Sequence, residues 1–429
     1  MSPLPWRRLL GHCADPLYRQ SYYMLASTGV SAATGLLFWV LAAHRTSPDV
    51  LGVAAGLVAA NAFLSYLTSF ALPYAMLRFG GPTRPVSGLV NTSLAFSAAT
   101  SMLAAAGFAM VAPVLSPALA SQLRRPAGVL LFGLAGVGAA AGVLLDNLLA
   151  ARRRAVAVLV RNTAAGLAKP LLVLLVAADD PRSLYLAATL PTLLSALAVY
   201  MALPTLLPGV RLSEFRLDET ARAARSFAVR AYAGSLLSGA PQFALPLIAV
   251  AVLVPREYAY FYMAWSIAQI VYLVPSVVAN ITLSQGPGVS NRDLVVRARR
   301  FSFVLIAPAC LAGILSTELV LGLYGAAYVA GAAVPLRLML MAAVPWTIVI
   351  IAQTQLRLEH RFLGVTVLTA CFCVGSLGLP TALGAPLGVH GMAGGWLVAV
   401  VATAALAWWL TGRAVRQPPV TAVRGRSEC

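Results

Sequence analysis

The chain has 429 residues, of which 60% are hydrophobic and 10% charged. A soluble domain carries roughly 25% charged residues, so this composition excludes a water-soluble enzyme or binding module: too much apolar surface would have to be hidden. The formal net charge of +18 invites a nucleic-acid partner, but the placement of the charges along the chain excludes that too.

The N-terminal segment, residues 1–20, contains Trp6, Arg7 and Arg8 but no short apolar core followed by a small-residue cleavage site. It reads as a cytoplasmic interfacial segment and not as a removable signal peptide. Apolar runs then follow at Tyr22–Ala43, Val50–Leu77, Val86–Val111, Ala127–Ala151, Arg161–Ala178 and Ser183–Leu207. The strongest of them reach the ~20 residues that cross a hydrocarbon core, which predicts a six-helix bundle over 21–207. The longest polar interruption comes next, Pro208–Arg230, where Glu214, Asp218 and Glu219 mix with five arginines while Phe215 and Phe227 supply some apolar surface. A cytoplasmic linker carrying a surface-lying helix fits that pattern. Beyond it, Ala231–Val254, Tyr258–Leu283, Phe301–Leu323, Val334–Leu356, Phe362–Leu383 and His390–Leu410 predict a second six-helix bundle over 231–411, closed by a basic tail over 412–429.

The expected fold is thus an all-α integral membrane protein of about twelve spans. With the N-terminus inside, 24 of the 31 basic residues fall in loops on one side. Six lie on the other (Arg45, Arg124, Arg125, Arg182, Arg256, Arg337), and Lys169 lies within a span. The positive-inside rule explains that split without any nucleic acid, and a missed or extra helix would scramble it. Both termini are therefore expected in the cytoplasm of a multi-pass plasma-membrane protein. The ratio of 30 arginines to one lysine suggests a GC-rich genome and fits a bacterial source.

The two halves carry a faint repeat. Leu41-Ala42-Ala43 leads to Ser47-Pro48-Asp49 and Gly52; Ala249-Val250-Ala251 leads to Val254-Pro255-Arg256 and Ala259, with the prolines 207 residues apart. Because six spans separate them, both halves enter from the same side, and tandem parallel halves are a transporter architecture with the site between them. No phosphate-cradling Gly-rich loop and no His-Glu-x-x-His zinc helix is present. No soluble domain is large enough to hydrolyse ATP, which leaves an ion gradient or consumption of cargo as the energy source. The five cysteines, Cys13, Cys310, Cys371, Cys373 and Cys429, form no disulfide or metal-ligand pattern.

Ionisable residues within spans carry a free-energy cost and need a reason. Lys169 lies nine residues into its run, about 13 Å along a helix axis and near mid-bilayer. It is either an anion contact in a water-filled cavity or half of a buried structural pair; Pro170 beside it loosens backbone bonding, a trait of cavity-lining helices. Asp146, six residues before Arg152, is expected to pair with Lys169 or Arg161, or to bind a coupling proton or sodium ion. Arg78 ends the second span and Arg230 opens the seventh, where arginines also snorkel to headgroups. Asp179-Asp180 on an outer loop is the one feature that suggests an enzyme acting on polyprenyl-linked sugars, yet the loop is too short for a site and reads better as a turn.

Several stretches resemble a known family. Leu37-Phe38-Trp39-Val40-Leu41-Ala42-Ala43 with Ser47-Pro48 and Gly52 is similar to the first hairpin of polysaccharide-exporting flippases. Tyr260-Phe261-Tyr262-Met263-Ala264-Trp265 with Val274-Pro275-Ser276 resembles span 8 of their actinobacterial members. Asp146, the Arg152–Arg154 cluster and Arg161-Asn162 look like that family's span 4–5 turn. These are the Wzx-like oligosaccharide flippases of the multidrug/oligosaccharidyl-lipid/polysaccharide exporter superfamily. The resemblance implies two six-helix bundles forming a V, alternating access, and a polyprenyl-linked anionic oligosaccharide or related cell-envelope glycan precursor as cargo. It implies a cationic cavity, with Lys169, Arg78, Arg161 and Arg230 as candidates and Asp146 as an ion-coupling or structural residue. It implies membrane lipids and glycan polymerase or export machinery as partners, and no cofactor beyond a coupling H+ or Na+. The sibling drug exporters bind organic cations and want acidic cavities, which makes this chain a poor drug exporter. The other readings carried forward are a related exporter of another substrate, such as a drug or a non-glycan lipid, and a membrane glycosyltransferase.

Overall fold

The computed structural model describes residues 16–177, 179–284 and 291–412, and every regular element among them is helical. The elements are α1 (Pro16–Arg45), α2 (Pro48–Thr68), α3 (Leu72–Phe79), α4 (Ser87–Leu115), α5 (Pro117–Leu123), α6 (Pro126–Ala151), α7 (Ala155–Leu175) and α8 (Pro181–Leu206) in the first half. The second half contains α9 (Glu219–Val252), α10 (Pro255–Ser284), α11 (Asn291–Leu315), α12 (Thr317–Gly322), α13 (Ala326–Met341), α14 (Ala343–Leu358) and α15 (Phe362–Gly412). Prolines mark many of the starts because a first-turn proline lacks only an N–H that would be unpaired anyway. The expected interfacial segment and basic tail lie mostly outside the described residues; residues 16–20 of that segment belong to α1.

Among the described residues eleven helical stretches are long and apolar enough to cross a membrane. The last, α15, runs for 51 residues with a non-helical Gly388 (φ 59°, ψ −140°) inside it. A Cβ placed on Gly395 would lie 2.6 Å from Pro380 Cα, whereas fifteen residues of straight helix would separate the two by about 22 Å. The element is therefore a hairpin turning at Gly388, a left-handed position that glycine takes at little steric cost. Two crossings in α15 bring the spans to twelve.

The loops meet in two layers, as alternating crossings require. At the basic end, Arg152 donates to the carbonyls of Gly80 (2.8 Å), Pro82 (3.2 Å) and Arg84 (2.5 Å). There too Gln20 caps the Ala155 amide at 2.9 Å and Arg361 reaches the Leu410 carbonyl at 3.1 Å. At the opposite end Arg45 donates to the Leu174 carbonyl at 2.9 Å and Arg182 to the Gln122 carbonyl at 2.8 Å. Residues 208–218 are non-helical, and Glu219–Arg230 forms the first turns of α9, unbroken into span 7. The surface-lying linker helix expected there is thus an extension of a span beyond the basic end: Asp218 caps it through the Ala221 amide (2.7 Å), and no proline stops it before Pro241.

The repeat extends through the architecture. Pro48 and Pro255, Ala151 and Leu358, Ala155 and Phe362, and Pro181 and Gly388 are all 207 residues apart, and each pair marks the same boundary in its half. The halves meet along α2, which packs on α9 and α10. Leu51, Ala54, Ala55 and Ala60 of α2 are fully buried, and a Cβ on Gly52 would run into the Pro255 carbonyl. The Gly52–Pro255 contact closes the seam at the end opposite the basic loops. Nearer the basic end the contact is aromatic: Tyr66 stacks on Phe243 (4.5 Å) and Phe70 on Tyr232 (4.7 Å), and Tyr232 donates to the Leu67 carbonyl at 2.7 Å.

Candidate functional site

A cavity of about 630 Å³ lies within the second half, walled by α9, α10, α14 and both limbs of α15, with Tyr74 of α3 at its edge. Each helix contributes one stripe at helical spacing: Gly234, Ser238 and Gln242 from α9, Gln269, Tyr272, Ser276 and Asn280 from α10, and Trp346, Gln353 and Arg357 from α14. Its floor is aromatic. Trp346 and Phe372 have ring centres 5.0 Å apart, Phe372 and Trp396 5.8 Å, and Trp396 meets Trp265 edge-on at 4.8 Å. Trp396 Nε1 donates to Tyr272 Oη at 3.0 Å, and Tyr272 in turn donates to the Met339 carbonyl, so these rings are fixed in place. Trp346 Nε1, by contrast, is buried without an acceptor among the described residues.

The walls are amides and hydroxyls. Gln353 Nε2 donates to Thr369 Oγ1 at 3.3 Å, and Gln242, Gln269, Asn280, Ser235 and Ser238 add further donors and acceptors. Among the described lining residues Arg357, in the last turn of α14 at the basic end, is the one with a formal charge. Aromatic faces beneath uncharged hydrogen-bonding walls suit a polyhydroxylated ligand; an arginine at the mouth suits a phosphate. A smaller cavity of about 370 Å³ between α1, α2, α9 and α10 shares Gln242, Gln269 and Leu273 with it.

The structure separates the residues singled out in the sequence. Arg78 lies at the rim, its guanidinium 4.8 Å from the ring of Phe227, which lines the cavity. Arg230 is also at the rim, next to the lining residue Ala231, and donates to the Ser226 carbonyl at 3.2 Å. Arg161 is in the first half and is engaged: its Nε and Nη2 donate to the two carboxylate oxygens of Asp146 at 2.9 Å and 2.5 Å. Asp146 therefore pairs with Arg161 and not with Lys169. Lys169, half-buried on α7, has no ion-pair partner among the described residues and is not among those lining the large cavity. Asp180 is the N-cap of α8, accepting from the Arg182 and Ser183 amides at 3.2 Å and 3.1 Å and from Ser183 Oγ at 2.7 Å. Burial pushes its carboxyl up, but those hydrogen bonds outweigh it and hold it below the usual carboxylate range. It is a cap, as the turn reading expected.

The repeat explains why the cavity occupies one half only. Ser27, Asp146 and Asn162 stand 207 residues before Gly234, Gln353 and Thr369, which all line the cavity. In the first half the same place is filled: Asn162 Nδ2 donates to Ser27 Oγ at 2.9 Å and to Asp146 Oδ2 at 3.2 Å, with the Arg161 guanidinium wedged beside them. Glycine for Ser27 and threonine for Asn162 leave that place open in the second half. Trp346, Gln353 and Asn280 carry no charge and Arg357 counted among the loop arginines, so none of the four stood out as an ionisable residue within a span. The signal was there in amides recurring at helical spacing on otherwise apolar helices.

The sequence matches no protein-family profile and no curated protein. Solved structures do resemble it. The lipid II flippase MurJ, in an inward closed conformation, aligns with a TM-score of 0.70 at 10% identity, over 91% of this chain and 87% of that one. An inward-facing multidrug resistance MATE family transporter of the MOP superfamily aligns at 0.58 and 15% identity, over 92% and 94%. A MOP superfamily transporter from Pyrococcus furiosus aligns at 0.53 and 13%, over 94% and 96%. The chain has the fold of these transporters. The two six-helix halves expected from the sequence are thus the architecture, while the cargo is a matter for the cavity.

Proposed function

We propose that the chain is a transporter of the multidrug/oligosaccharidyl-lipid/polysaccharide superfamily that flips a lipid-linked anionic oligosaccharide across a bacterial plasma membrane. The observation that carries this is the second-half cavity, with its aromatic floor, amide and hydroxyl walls, and an arginine at the mouth. Sugar C–H faces would stack on Trp346 and Trp396, hydroxyls would pair with Gln242, Gln269 and Gln353, and a phosphate would meet Arg357, with Arg78 and Arg230 at the rim. The connected space between α1 and α10 supports a lipid carrier whose chain stays in the bilayer while the head group enters. Arg161 is neutralised by Asp146, so neither it nor Lys169 is given a cargo contact. Glycan-building enzymes on the cytoplasmic side would supply the cargo, and polymerase or export machinery outside would consume it.

The described lining residues include no carboxylate, which weighs against organic cations and so against a drug exporter. An enzymatic role would need Asp180 free, and it is committed to its cap. A seam sealed at one end by Gly52 and its neighbours, with the cavity lining running to the other, supports alternating access. Cells carrying a Trp346→Ala, Arg357→Gln double variant in place of the native chain, correctly inserted, should accumulate polyprenyl-linked oligosaccharide on the cytoplasmic face and lose surface glycan. Normal surface glycan in those cells would remove the cavity from the transport path and sink the reading.

A further inference from the structure

A second, larger space of about 820 Å³ lies far from the cargo cavity, on the first half, in a groove where α7 is flanked by α1 and α8 near the basic end. Arg19, Arg153 and Arg154 line it, and none of the three has an ion-pair partner among the described residues. Among the described residues the lining contains no carboxylate. Arg161 borders the groove as well, but its charge is taken up by Asp146. Three positive charges without an acidic partner among the described residues therefore converge at the N-terminal end of α7, where the helix dipole adds further positive potential. Toward the bilayer centre the groove turns apolar: Val156 and Val160 are 46% and 62% exposed, while Ala157, Ala164, Ala198 and Ala202 leave the space between α7 and α8 open. Tyr23 stands at the junction of the two zones, where tyrosines collect at membrane interfaces.

We propose that this groove is a binding site for an anionic phospholipid of the leaflet on the basic side. Its phosphate sits among Arg19, Arg153 and Arg154, and an acyl chain runs along Val156 and Val160. The polarity order of the groove, cationic at the loop end and apolar deeper in, is that of a phospholipid standing upright in its leaflet. A free phosphate would satisfy the arginines and leave the valine strip uncovered. The site does not depend on the cargo assignment, since it shares no lining residue with the cargo cavity.

The test uses the purified full chain equilibrated with equal amounts of phosphatidylglycerol and phosphatidylcholine, with retained lipids counted by native mass spectrometry. The wild type should retain phosphatidylglycerol preferentially, and millimolar inorganic phosphate should not displace it. Each arginine removed should lower that preference about fivefold, and the Arg19→Ala, Arg153→Ala, Arg154→Ala triple variant on the order of 100-fold. Val160→Trp, at an exposed position, should expel the lipid with the arginines intact, so that the site stays testable if the triple variant misfolds. Arg124→Ala, Arg125→Ala, at the opposite end, should change nothing. Equal retention of both lipids by the wild type would overturn the proposal, as would undiminished retention in Val160→Trp. Preferential retention of a polyprenyl phosphate over phosphatidylglycerol would overturn it too, making the groove a cargo entry.

Discussion

Gly52 decides whether the end opposite the basic loops stays shut. It sits in the first turns of α2, where a Cβ would collide with the Pro255 carbonyl oxygen and stand 2.7 Å from its carbon. Both surfaces are backbone at helix starts, so no rotamer change can make room. Overpacking of a well-fitted interface costs roughly 1–3 kcal/mol, and the branched side chain in Gly52→Val belongs at the upper end. About 3 kcal/mol corresponds to on the order of a hundredfold in an equilibrium between sealed and open seams. The strain is relieved only by separating α2 from α10, so the variant should populate a state open at that end. Nitroxides at Arg125→Cys and Leu319→Cys, in a cysteine-free background, report the separation of the two halves there by pulsed electron resonance. Gly52→Val should add a longer-distance population. Gly107→Val, where a Cβ meets nothing within 4 Å, should not. A distance distribution for Gly52→Val that superimposes on the parent's would refute the claim that this contact seals the seam.

Other consequences follow from the same geometry. Asp146→Ala leaves Arg161 buried and unpaired, a loss of roughly 3–5 kcal/mol that should lower the thermal unfolding midpoint in detergent. The Asp146→Leu, Arg161→Leu double variant should recover most of it, and a double variant as unstable as the single one would argue against a structural pair. Lys169→Met should leave transport in proteoliposomes unchanged while Arg357→Gln lowers it; the reverse pattern would move the anion contact into the first half. Asp180→Ala should cost about 1 kcal/mol as a lost helix cap. Because the folded-state carboxyl is held low, that contribution is present above the unfolded value of about 3.9 and fades as pH falls through the folded one. Wild-type and Asp180→Ala midpoints should therefore converge in acid, and a gap that persists there would contradict the cap.

Much of the architecture was legible because hydropathy and arginine placement report directly on crossing the bilayer. The 207-residue spacing of Pro48 and Pro255 marked the repeat, since a helix start after a proline is a local event. The partner of Asp146 was also within reach. It and Arg161 lie at similar distances either side of the turn at Arg153-Arg154, so an antiparallel hairpin sets them face to face. Lys169 is eight residues further along than Arg161, about 12 Å of helix and beyond a lysine's reach. The cargo cavity was not legible in that way. Trp346, Phe372 and Trp396 come from three different limbs, and an aromatic on an apolar helix looks the same whether it packs or lines a space. Nor did the sequence reveal the continuity of α9, because the arginines of Glu219–Arg230 resemble a polar linker until the Asp218 cap and the helix beyond are seen together.

The most direct test of the flippase reading is translocation by the purified chain itself. Proteoliposomes would contain a fluorescent polyprenyl-pyrophosphate oligosaccharide, and a membrane-impermeant reductant would bleach only the head groups facing outward. Wild-type protein should expose both leaflets' pools to the reductant while Trp346→Ala, Arg357→Gln vesicles keep the inner pool protected. Protection in wild-type vesicles equal to that in protein-free ones, across both imposed proton and sodium gradients, would contradict the account.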